Sequence, residues 1–202
     1  MKFKTALTCA AAVLLLAGSA SSTLAKQPKY SATYGQDRAL IEDLMARYLF
    51  AIDYNDWDSY VETFAPDGTI EFASGKATGR EPIRALVTKF AEGIGRVYHT
   101  EDGKMAKLRH VVLQSQIRVE GDRAWGRTLW LEMANHGPMD TMKMGTYGIY
   151  EDEFRKEKGQ WFIYRRNVLN EFIKSRTSGP NNPVRDQDAA ADAYAASVKG
   201  AK

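Results

Sequence analysis

Asp53 and His110 are the pair in this chain whose types and settings could do chemistry. Asp53 ends an amphipathic stretch, Leu40 to Ile52, and His110 opens an alternating one, His110 to Glu120. A carboxylate and an imidazole aimed into one apolar pocket can move a proton without metal or cofactor. Asp53 sits four residues after Leu49, at the edge of the apolar helix face, and Tyr48 lies on that same face. A carboxylate so placed caps its helix, pairs with an arginine, or steadies a catalytic partner.

Strict alternation puts His110 on one strand face with Leu108, Val112 and Gln114, opposite Val111, Leu113, Ile117 and Val119. A histidine there is either a hydrogen-bonded core residue or a base. His99 and His136 fall in loops, and no two histidines have ligand spacing, so neither a metal site nor a cofactor is expected. Glu132 alternates with Trp130 and Thr128 inside a strongly apolar segment. A carboxylate there either faces water or orients an imidazole, and it could serve as a second acid. Arg165 and Arg166 must point to opposite faces of the last strand, and an inward one would meet a carboxylate or a developing oxyanion. Trp130, Tyr147, Tyr150 and Tyr164, with Met139, Met142 and Met144, predict an apolar, adaptable cavity or mouth.

The elements that must position these groups follow from periodicity. Leu40, Ile41, Leu44, Met45, Tyr48, Leu49 and Ile52 recur at helical spacing. Asn55 or Asp56 caps a second short helix with Trp57, Tyr60, Val61 and Phe64 inward, which Pro66-Asp67-Gly68 ends as a turn. Thr69 to Phe72 is a short strand. A third helix follows Gly79, and residues 91–106, with three glycines, read as a loop able to cover a pocket. Period-two strands are expected at 108–120, 123–135, 142–155 and 160–172. Helices followed by a long antiparallel meander make an α+β domain, a curved sheet closed by the N-terminal helices.

Residues 1–25 read as a secretory signal peptide: Lys2 and Lys4, the apolar run Ala6 to Ala17, and cleavage after Ala25 or Ala20. An exported, periplasmic or secreted location is therefore expected, with no membrane insertion after cleavage. Cys9, the one cysteine, would leave with it, so no disulfide is expected. The formal charge of +3 includes Lys2 and Lys4, and no basic stripe stands out, which argues against a nucleic-acid partner. Residues 26–35 read as a leader, 36–174 as the domain, and 175–202 as a polar, alanine-rich tail in which Ala189 to Val198 could form a helix.

Arg38 to Asp53, the stretch Trp57 to Gly68, His110 at its strand start, and Glu153 to Arg166 occur in an order that resembles the SnoaL-like branch of the nuclear transport factor 2-like superfamily. The resemblance covers roughly residues 36–172 and implies a cone-shaped α+β barrel with a deep pocket. It implies a dyad of Asp53 and His110, with Tyr48 as a third catalytic group. It places Arg166 facing the pocket, with Trp130, Glu132, Thr146, Gly148 and Tyr150 on the wall. It also implies a homodimer or homotrimer, for which Arg127, Leu129, Leu131 and Met133 could provide the surface. The expected function is a cofactor-independent lyase, dehydratase-like or formaldehyde-releasing, acting on a small apolar aromatic or polycyclic substrate. An isomerase with Asp53 as base, a carrier of an apolar ligand, and a structural subunit are the rivals.

Overall fold

The computed structural model describes residues 30–200. The expected signal peptide and residues 26–29 of the leader lie outside the described residues. Helix α1 spans Tyr34–Asp53, α2 Trp57–Glu62, strand β1 Phe64–Phe72, β2 Gly75–Thr78 and α3 Arg80–Val97. Strands β3 Leu108–Glu120, β4 Arg123–Asn135, β5 Met142–Glu157 and β6 Gln160–Asn170 form the meander, and α4 Pro183–Gly200 ends the description.

One six-stranded sheet runs β2-β1-β6-β5-β4-β3. It curves around the helices but does not close: β2 and β3 remain as edges, so the expected barrel is an open, curved sheet. Nor is it wholly antiparallel, because β1 pairs parallel to β6. Helix α1 lies in the concavity with Ile41, Leu44, Met45, Tyr48 and Ala51 buried against Tyr60, Phe64, Ile117, Phe154 and Ile163. Burying such side chains stabilises the fold by about 1.5–3 kcal/mol each before entropy is counted.

Three local departures from simple periodicity matter. Helix α2 ends at Glu62, and Pro66-Asp67-Gly68 lies inside β1 at a register shift rather than forming a turn. The bulge leaves proline without a ladder partner to disappoint. A Cβ on Gly68 would sit 2.9 Å from the carbonyls of Ala65 and Ile163, so the bulge needs glycine. The second departure is in β3. Its pairing with β4 shifts between Val112 and Ser115. One extra residue reverses the alternation, so Ile117 and Val119 join His110 on the inner face instead of opposing it. Third, the register of β4 and β5 shifts between Leu131 and Met133, beside Glu132.

Residues 183–200 are not a loose tail. Helix α4 packs across the outer faces of β3 and β4. Arg118 reaches Asp192 at 2.6 Å and Asp188 at 3.5 Å, Tyr194 lies 5.6 Å from Trp125, and Gln187 and Ala191 are buried. Leu129, Leu131 and Met133 continue the same outer face beyond it.

Asp37 ties the start of α1 to the sheet. Its carboxylate accepts from Lys156 Nζ at 2.8 Å and Trp161 Nε1 at 3.0 Å. Burial alone would raise its pKa, but these bonds, with one from Thr33, outweigh that and hold it below the usual carboxylate value. A native pKa below the unfolded one stabilises the fold above about pH 4, and that stabilisation fades as pH falls through the lowered value. Asp37→Asn is expected to lose about 1–3 kcal/mol at neutral pH and to converge with the parent in acid. Urea titrations at several pH values check both parts.

Candidate active site

The C-terminus of α1 and the first residues of β3 meet at the mouth of the concavity. Asp53 Oδ1 lies 2.6 Å from His110 Nδ1, and Oδ2 accepts the backbone N–H of His110 at 2.9 Å. Carboxylate oxygens only accept, so Nδ1 carries the proton, and in the neutral ring Nε2 keeps its lone pair. The backbone bond fixes Asp53 whether or not the ring is present. Arg109 Nη1 donates to the Asp53 carbonyl at 3.0 Å, satisfying an orphan carbonyl at the helix end, and its guanidinium stacks over Tyr54 at 4.4 Å.

Glu132 faces the imidazole from β4, since His110 and Glu132 are cross-strand partners. Its Oε2 is 3.7 Å from His110 Nε2. Its Oε1 accepts from the Thr146 N–H at 3.3 Å, the Thr146 hydroxyl at 3.1 Å and Tyr98 O–H at 3.2 Å. The shift in register beside Glu132 brings Thr146 into this position, and Gly145 leaves the room: a Cβ there would lie 2.7 Å from the carboxylate. Burial and the neighbouring Glu132 charge push the Tyr98 hydroxyl above its usual pKa, which keeps it a donor.

A cavity of about 250 Å3 opens inward from His110, walled by Tyr48, Tyr60, Phe90, Trp130, Thr146 and Tyr150 among others. Trp130 and Tyr150 stack with centroids 5.6 Å apart. Tyr60 O–H donates to the Tyr48 oxygen at 3.1 Å, so the Tyr48 proton is available to a ligand. Burial, and then the neighbouring Tyr48, raise both Tyr60 and Tyr150 well above the usual tyrosine pKa, so both remain neutral.

Tyr48, Asp53, His110, Trp130, Glu132, Thr146 and Tyr150 are thus brought together. Arg166 is not. It is fully buried and absent from the cavity wall, with Nε and Nη2 paired to Asp152 at 2.7 and 2.8 Å. Its guanidinium lies 4.0 Å from the Tyr48 ring centroid and 4.4 Å from that of Tyr150. Burial works against its charge, but the Asp152 carboxylate outweighs this and raises its pKa. It supports two wall residues from behind instead of meeting a ligand. Tyr147 is exposed, and Tyr164 stacks under Arg123 and Arg155, so neither lines the cavity. Met139, Met142 and Met144 are exposed as well.

A SnoaL-like domain model matches residues 34–167, most of the described chain. The chain belongs to the SnoaL-like family. Within reach of this SnoaL-like domain is the uncharacterized protein Rv2910c of Mycobacterium tuberculosis, 29% identical over 133 residues, which are 64% of this chain and 82% of that protein. Two solved structures from Novosphingobium aromaticivorans share the fold. One, described as NTF2-like with a cystatin-like fold, is 23% identical with TM-score 0.57, covering 70% of this chain and 86% of that one. The other, a candidate scytalone dehydratase, is 21% identical with TM-score 0.55, covering 68% and 86%. The SnoaL-like superfamily includes dehydratases and cyclases.

Two site residues escape the sequence reading. Tyr98 continues the helical series Phe90, Ile94, Tyr98, a signal hidden by the glycines that suggested a loop; α3 in fact runs to Val97. The segment after it is closed by a bridge between His99 and Met105, by the Met139 N–H donating to the Glu101 carboxylate, and by the Glu101 N–H donating to the Asp140 carboxylate. Arg109 gave no signal, because alternation points it away from His110.

Proposed function

We propose that this SnoaL-like protein is a cofactor-independent lyase in which His110 Nε2 is the general base. The observation that carries the reading is the 2.6 Å contact of Asp53 with Nδ1, which turns the lone pair of Nε2 toward an aromatic-walled cavity. In the elimination, Nε2 takes a proton from carbon. The C–H electron pair becomes the new C=C bond, and the C–O bond to the leaving group breaks. The departing oxygen takes a proton from Tyr48 O–H, which Tyr60 can replace along their hydrogen bond. Asp53 stabilises the imidazolium that forms. In a formaldehyde-releasing variant, Nε2 takes the proton of a primary hydroxyl, and the O–H electron pair forms the C=O of formaldehyde as the C–C bond breaks. The pair left on the remaining carbon forms a C=C bond as the adjacent C–O bond breaks, the departing oxygen again taking its proton from Tyr48 O–H. Arg166, turned to Asp152, has no part in either sequence.

The likeness to a candidate scytalone dehydratase supports the elimination reading over the rivals. An isomerase with Asp53 as base fits less well, because both oxygens of Asp53 are engaged by His110. The test is to incubate the protein with aryl compounds bearing a hydroxyl beta to an acidic C–H and to follow product mass. Loss of water or formaldehyde that depends on His110 supports the lyase. A product of unchanged mass would point to the isomerase, and unchanged recovery of a bound compound to a carrier.

A further inference from the structure

The cavity at His110 has a second chamber. About 360 Å3 lies between the end of α1, α3 and the segment leading into β3, bounded by Trp57, Ala91, Met105, Ala106, Lys107 and Arg109. The two chambers share Ile52, Val87, Phe90, Ile94, Tyr98 and His110 as walls. His110 therefore stands at the junction, not at the bottom of a single pit. An apolar void of about 150 Å3 takes one benzene ring, so each chamber is large enough for a ring system of its own.

The chambers differ in charge. The inner one has neutral aromatic walls with Glu132 at its rim. The outer one carries Lys107 and Arg109, and among the described residues neither has a carboxylate within ion-pair distance. Asp53, the acid nearest to them in the wall, is committed to His110. Arg109 spends only Nη1, on the carbonyls of Asp53 and Leu108, so Nε and Nη2 keep their donors for a ligand.

We infer that the site takes a substrate with two apolar ring lobes, one in each chamber, joined through the carbon at His110 and bearing an anionic group on the outer lobe. A carboxylate or phenolate there would meet Lys107 and Arg109, while the inner lobe stacks against Trp130 and Tyr150. The choice of reacting carbon rests on the lyase reading; the shape and charge of the ligand do not.

Two dyes of matched shape test this without turnover: anilinonaphthalene sulfonate, with two ring systems and an anion, and neutral N-phenylnaphthylamine. The sulfonate is expected to bind at least about tenfold more tightly at low salt, and the difference to shrink as salt is raised. Lys107→Gln with Arg109→Gln should erase the difference. Because Arg109 also holds the end of α1, Lys107→Gln alone, at an exposed side chain, should already reduce it. Ala91→Trp, filling the outer chamber, should weaken both dyes at least about tenfold with the circular dichroism unchanged. Equal affinities for the two dyes, or a preference that survives the charge substitutions, would overturn the anionic lobe. Binding unaffected by Ala91→Trp would overturn the second chamber. A protein that prefers the sulfonate yet releases no fragment from any compound keeps this inference and loses the lyase. One that processes neutral single-ring compounds as well as two-ring acids keeps the lyase and loses this inference.

Discussion

His110→Ala is expected to lower kcat on a processed substrate by about 10²–10⁴-fold, the range a positioned general base supplies. The protein should stay folded. Removing the imidazole leaves Asp53 Oδ2 still accepting the backbone N–H of residue 110, and the Arg109 bond to the Asp53 carbonyl is also kept. The freed Oδ1 opens onto the cavity, where water can reach it. Asp53→Ala should lose a comparable factor for a different reason: the base remains but its ring is no longer held with Nε2 inward. The two losses should not add, because each removes the same oriented base. Steady-state kinetics of the single and double variants, with thermal melts as the control, check this. Additive losses would mean two independent roles.

Breaking the Asp152–Arg166 pair should have the largest effect on stability. Both side chains are fully buried, so Asp152→Ala leaves a guanidinium without its counter-charge between two aromatic rings. The expected cost is about 3–5 kcal/mol, a large part of the 5–15 kcal/mol typical of a domain. Replacing both partners with apolar residues, Asp152→Leu with Arg166→Met, should recover much of that, because the burial cost of the two charges disappears together. Urea denaturation of the single and double variants measures it. Activity of the double variant should fall only so far as Tyr48 and Tyr150 move. A direct ligand contact by Arg166 would instead show as a KM effect in the stable double variant.

The dyad could be read from the sequence because each member sits at the boundary of a clean period. The helical repeat that includes Tyr48 and Ile52 ends at Asp53, and the two-residue repeat starts at Leu108, two residues before His110. Glu132 was legible as an odd carboxylate able to orient an imidazole, but its place directly opposite His110 was not, because the bulge in β3 shifts the hairpin register by one residue. The bulges explain most of the remaining misses. One extra residue between Val112 and Ser115 moved Ile117 and Val119 to the inner face, and nothing local in Leu113-Gln114 signals it. Arg166 was placed on the correct face, but alternation gives direction and not depth. Asp152, directly opposite it on β5, takes its Nε and Nη2 donors. The parallel pairing of β1 with β6 joins residues about a hundred positions apart, beyond the reach of any local pattern. The docking of α4 depends on Arg118 and Trp125 facing outward, and for Arg118 that in turn depends on the bulge in β3.

The measurement that bears most directly on the oriented base is the pair of ring ¹⁵N shifts of His110, taken at mildly alkaline pH in the parent and in Asp53→Ala. With three histidines in the chain, the signals can be assigned by substitution. The geometry predicts a protonated Nδ1 and a bare Nε2 in the parent, and a mixture of tautomers once Asp53 is gone. A parent protein in which Nε2 carries the proton, or a tautomer indifferent to Asp53, would contradict the account, because the cavity would then face a donor in place of a base.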